Sequence, residues 1–129
     1  MAVIAKVDTP AKTWGDSAQY VSWPNMLQSS TDVGEKFECP GASDRSVQLQ
    51  GTLGTGGVIT MQGSNVASPA DAAASTDWGS VHDMDGNVLT LDAIGQIKQI
   101  QEVTRWLRPR VTAGDGVTDL SVYAVARRG

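Results

Sequence analysis

Reactive side chains are scarce in this 129-residue chain, which has one cysteine, one histidine, one phenylalanine and two tyrosines. With Cys39 alone, no disulfide can form within the chain, and a thiolate zinc site lacks its partners. With His82 alone, the triads and metal centres that draw on several histidines near neutral pH have nothing to assemble from. No stretch approaches the roughly 18 apolar residues of a membrane span, and residues 1–8 are too short an apolar run for a signal peptide. A soluble protein made in a cytosol is expected, with no membrane partner. A basic surplus is also missing. The net charge is −4, made of 11 acidic and 4 basic residues over 1–97 and 3 acidic and 6 basic over 98–129. That balance argues against nucleic-acid binding, which needs a concentrated cationic surface. No repeat of 20 to 50 residues is present. These absences point away from an enzyme, a metal and a cofactor.

What the chain does have is alternation. Val47, Leu49, Gly51 and Leu53 alternate with Gln48, Gln50 and Thr52, and after Thr55-Gly56-Gly57 the run Val58 to Gln62 leads back. Trp106, Arg108, Arg110 and Thr112 alternate with Arg105, Leu107, Pro109 and Val111, and Ala113-Gly114-Asp115-Gly116 turns the chain into residues 120–125. Period-two patterning suits strands with one buried and one wet face, so residues 46–65 and 104–127 read as two antiparallel hairpins. Residues 18–23 alternate and reach Pro24, which cannot donate to a ladder and usually ends a strand. Residues 25–44 read as a long loop, with Val33 and residues 37–39 offering short strands. Residues 78–81 and 88–91 form a third short hairpin around Asp83-Met84-Asp85-Gly86-Asn87. The spacing of Ile94, Ile97, Ile100 and Val103 predicts a short helix.

The chain length suits one domain. Residues 1–15 read as an N-terminal arm or an edge strand, and residues 16–129 as one all-β domain. Seven or eight strands imply two packed antiparallel sheets or a flattened barrel.

Several features have two readings. The Asp83–Asn87 turn carries alternate carboxylates like part of a calcium loop but lacks that pattern's remaining ligands, and Asp-Gly is equally a turn signal. Residues 51–57 are glycine-dense, yet no lysine or helix follows to make a phosphate loop. Residues 65–76, small and alanine-rich, fit a helical turn after Pro69 capped by Ser68, or a loop insertion. His82 beside Asp83 could be a dyad, although a structural histidine is the simpler reading. Among the tryptophans, Trp106 and its hydrophobic strand suggest burial, while Trp14 and Trp23 are candidate protein contacts. All four tryptophans could alternatively line a sugar platform. Arg108 and Arg110 fall on one side of their strand, either as solvated charges or as a contact for an acidic protein surface.

The ordered runs 46–54 and 58–65, then Trp78, then Asp85-Gly86-Asn87-Val88-Leu89-Thr90-Leu91, then residues 106–116, resemble small tailed-bacteriophage virion structural proteins of the capsid decoration (cement) type. The resemblance spans about residues 46–127. It implies a jelly-roll-like β-sandwich on the capsid exterior, made in the host cytoplasm. Such a protein binds the major capsid protein and itself, as a dimer or trimer, and needs no catalytic residues. Residues 1–45 fall outside the resemblance, and the stretch from Asn65 to Asp77 is longer than the family's connection from Gly-Ser-Asn to Trp. The protein contacts expected on this reading are Trp14, Trp23, Arg108 and Arg110. Rival readings are a carbohydrate-binding module, a tail, neck or head-completion component, or an enzyme with carboxylates paired across a cleft.

Overall fold

The computed structural model describes residues 1–9, 18–28 and 31–127. Twelve strands make two sheets: β1 Val3–Ile4, β2 Val7–Thr9, β3 Ala18–Leu27, β4 Val33–Gly34, β5 Phe37–Glu38, β6 Asp44–Thr52, β7 Val58–Ser64, β8 Gly79–Ser80, β9 Thr90–Leu91, β10 Ile97–Gln99, β11 Trp106–Ala113 and β12 Asp119–Arg127. One sheet has seven strands and runs β1-β4-β11-β7-β8, with β5 also on β11 and β9 also on β7. The other has five, ordered β10-β6-β12-β3-β2. All pairs are antiparallel except β1 with β4.

Alternation correctly locates the long strands, but their bonding partners differ from the expectation. β6 and β7 lie in opposite sheets, as do β11 and β12, so neither predicted hairpin is closed by hydrogen bonds between its own strands. Instead β6 pairs with β12 over nine positions, from Asp44↔Arg127 to Thr52↔Asp119, while β7 pairs with β11. The two ribbons lie side by side and fold over together. Their turns are tied at one end, where Asp115 accepts the Thr55 N–H at 2.9 Å and the Val117 N–H at 3.1 Å. Thr118 Oγ1 donates to Leu53 O at 2.8 Å.

The inward side chains of both sheets make one core, which includes Val21, Trp23, Met26, Leu49, Ile59, Met61, Leu107, Val111, Leu120 and Val122. Each fully buried aliphatic side chain here contributes about 1.5–3 kcal/mol of transfer free energy. Gly34 lets the layers close: a Cβ there would stand 2.6 Å from both Pro109 Cδ and Trp23 Cδ1.

Two local expectations are corrected, and one of the two N-terminal readings is realised. Pro24 does not end its strand, because β3 runs through it to Leu27 and the register shifts between Leu120 and Val122. Asn25 there takes φ 57°, so a bulge absorbs the residue that cannot donate. No helix forms over residues 93–103. Gly95 adopts φ 84°, Ile97–Gln99 pairs with β6, and of the four spaced apolar residues only Ile100 is buried. Residues 1–9 are the edge-strand alternative rather than a free arm, with β1 on β4 and β2 on β3. Ala2 N–H donates to the buried Asp32 carboxylate at 3.1 Å, and Ala2 O accepts the Val33 N–H at 3.0 Å.

Candidate interaction surfaces

The four predicted contact residues do not form one surface. Trp14 lies outside the described residues. Trp23 is wholly buried, its Nε1 donating to Glu35 O at 2.8 Å and its ring edge-on to Phe37 at 6.3 Å, so it has no exposed surface to offer a partner. Its parity with Val21 already pointed inward.

Arg108 projects from the outer face of the seven-stranded sheet, as alternation requires, yet it too is buried. The cover is the alanine-rich stretch 65–78, which crosses this face as a strap containing turns and no helix. Arg108 donates to Gln62 Oε1 at 2.8 Å, Asp71 O at 2.8 Å and Ala72 O at 3.2 Å, and its guanidinium lies 4.3 Å from the Trp78 ring centroid. Burial pushes its pKa down to about 10, with Arg110 adding to the effect and Asp71 opposing it, so the group stays charged at neutral pH. The strap is held at three further points: Trp106 Nε1 to Val66 O at 2.9 Å, Lys36 Nζ to Pro69 O at 2.9 Å, and Trp78 Nε1 to Ala70 O at 2.8 Å. Trp106 is half-buried, not a core residue, and Lys36 and Arg105 lie 5.7 and 5.5 Å from its ring centroid. A sugar platform built from Trp23, Trp78 and Trp106 would need rings that here are packed in the core or against cations.

Arg110 stands beyond the strap, half-buried, with its Nε shielded from solvent and without a hydrogen-bond partner. Among the described residues no carboxylate forms an ion pair with it. Of the two arginines, Arg110 is the less buried.

A second cation, Arg45, is buried at the end of β6 and donates to Ala42 O, Cys39 O, Thr104 O and Thr104 Oγ1. It closes that end of the sandwich. Burial pushes the Cys39 thiol up, Arg45 opposes this and Glu38 adds to it, so the thiol stays protonated at neutral pH. His82 Nδ1 bonds Glu102 Oε2, and its backbone N–H donates to Glu102 Oε1 at 2.7 Å. Burial raises the Glu102 pKa, but hydrogen bonds from the His82 side chain and backbone and from its own backbone outweigh it and bring the net pKa down. In the Asp83 turn, Oδ1 accepts the N–H groups of Asp85 and Asn87 at 3.0 and 3.1 Å, so that carboxylate is spent on the turn itself. No group of three or more His, Cys, Asp or Glu among the described residues is placed to hold a metal ion.

The surface that sequence reasoning missed is the outer face of the five-stranded sheet. Register sets two rows across it, Ile97-Gln48-Tyr123-Ser22-Val7 and Gln99-Ser46-Val125-Tyr20, and then Asp44-Arg127-Ala18. Ile97 is 63% exposed, Val7 51% and Tyr123 50%, with Val125 less so at 36%. A shallow groove of about 500 Å³ runs between Tyr20, Ser46, Ile97, Val125 and Arg127. Alternation along residues 120–125 contained the signal, since it puts Tyr123 and Val125 opposite Leu120, Val122 and Ala124.

No family model matches the sequence, and no curated protein matches it. Among solved structures, the fold is similar to the SPBc2 prophage-derived protein YomS, with a TM-score of 0.52 and 10% identity, covering 86% of this chain and 95% of that one. A cupin domain from Bordetella pertussis Tohama I aligns at a TM-score of 0.48 and 9% identity, covering 100% of this chain and 99% of that one. The chain is therefore a two-layer β-sandwich whose fold is shared with a prophage-derived protein.

Proposed function

We propose that this chain is a tailed-phage virion structural protein of the capsid-decoration type, acting by being bound rather than by bond-making chemistry. The observation that carries the reading is the bare outer face of the five-stranded sheet. Ile97, Tyr123, Val7 and Val125 stay wet there in a single copy, whereas the opposite outer face is covered by the chain's own strap. Exposed apolar residues gathered on one face of an otherwise well-packed body support a protein contact there. The prophage origin of YomS and its likeness in fold over most of both chains support a phage setting. The side-by-side ribbons β6-β12 and β7-β11 support the jelly-roll-like arrangement that the sequence resemblance implies.

In this reading the partners are the major capsid protein and other copies of the chain. Arg110, half-buried and in no ion pair among the described residues, meets an acidic capsid residue. Repetition over the symmetric head turns modest contacts into stable occupancy. Mixing the purified protein with undecorated heads tests this. Stoichiometric binding and a raised head melting temperature are expected, and heads that stay bare and melt unchanged would overturn it.

A further inference from the structure

We propose that the bare face of the five-stranded sheet binds the same face of a second copy, making a two-fold symmetric dimer. This rests on the reading of that face as an assembly contact and names its occupant.

Charge argues for a like partner. The chain carries net charge −4, so two copies repel over most of their surface. In a two-fold contact each off-axis residue meets a different residue of the partner, so a patch carrying one sign throughout would still meet only that sign and defeat itself. Here the centre of the face is uncharged. At its border Arg127 donates to Asp44 at 2.9 Å, so those charges cancel within each chain. An acidic or basic partner would find no complementary field on this face. A copy finds a neutral one.

Size and relief agree. Three long strands of 9 or 10 residues, flanked by two of three residues, give about 500 Å² in projection from strand spacing and rise. Side-chain relief raises the accessible area toward the roughly 800 Å² per partner of an ordinary stable interface. The face also holds both halves of a fit, because Tyr123 projects one row away from the groove beside Val125. A two-fold axis parallel to the sheet and just outside its bare face, running across the strands between these rows, sets each Tyr123 against the partner's groove. Such an isologous contact closes at two copies.

The test is the solution mass of the full chain at tens of micromolar, for wild type and for Tyr123→Asp, Val125→Asp and Arg110→Ala, with circular dichroism to confirm folding. Wild type and Arg110→Ala are expected at twice the 13.6 kDa of one chain, and both aspartate variants at the single-chain mass. Both aspartates enter at partly or well exposed positions. If either unfolds, Ile97→Asp on the short edge strand replaces it. A monomeric wild type, a trimer or larger species, or a dimer untouched by the folded aspartate variants would overturn the proposal. Head binding is measured separately. A monomer that still decorates heads defeats the dimer and leaves the virion role standing, and a dimer that ignores heads does the reverse.

Discussion

The sandwich has two outer faces, and they are finished in different ways. On the seven-stranded sheet, outward residues include Trp106, Arg108 and Gln62, and the strap lies across them, its carbonyls accepting hydrogen bonds from Trp106, Lys36 and Arg108. On the five-stranded sheet the outward residues include Tyr20, Tyr123, Val125 and Ile97, and within the described residues nothing crosses them. One face is covered by the chain's own strap; the other is open among the described residues. The contrast shows that alternation assigns a side chain to a face without saying whether that face is wet. Arg108 is an outward residue that became buried, and Tyr123 is an outward residue that stayed exposed.

The contrast breaks most sharply at Arg108. Arg108→Ala removes three hydrogen bonds and the cation over Trp78, leaving buried acceptors unpaired, and is expected to cost about 3 kcal/mol in a denaturant melt. Limited proteolysis of that variant should open new cleavage within residues 66–77. Gly34→Ala probes the core between the faces. Its Cβ would collide with Pro109 and Trp23, and overpacking of this kind costs about 2 kcal/mol, with no new cleavage in the strap. Lys36→Met keeps the stem and loses only the bond to Pro69 O and the charge near Trp106, so a loss of about 1 kcal/mol is expected.

Asp115, where the ribbons turn, gives a pH signature. Its pKa is lowered chiefly by the backbone N–H groups of Thr55 and Val117. A carboxylate with a depressed folded-state pKa stabilises above its unfolded value, and the effect is lost as pH falls through the folded one. Asp115→Asn should therefore be less stable than wild type at pH 7, with the gap closing as pH falls below the ordinary value of 3.8. The smallest effect is expected on the bare face. Tyr123→Ser in dilute protein should change stability by only about 0.5 kcal/mol, because half of the residue is already exposed within one copy. A large loss there would mean that the face is finished after all.

Strand positions were legible in the sequence because period two is a local property. Their partners were not. Residues 46–65 look like a hairpin from turn glycines and alternation alone, but β6 gains its neighbours from residues 97–99 and 119–127. Choice between a local and a distant partner depends on how both layers bury their inner faces, which no short window contains. Trp23 and Trp106 were misjudged although their parity was available: Trp23 shares its side with Val21 and is core, while Trp106 shares its side with Arg108 and Arg110 and is outward. The spacing of Ile94, Ile97, Ile100 and Val103 imitated a helix because an edge strand carries apolar residues without a helical face. The strap read as a helical turn or a loop insertion, since its anchoring depends on side chains from distant strands.

Every side chain that grips residues 66–72 holds a main-chain group, carbonyl or N–H, and most of the gripped residues' own side chains point to solvent. Such a belt is read by its peptide groups, so its lettering is free to drift, with Pro69 alone tucked inward. If the chain coats a particle, those free letters would be repeated once per copy, a natural place to display a foreign peptide without disturbing the body beneath.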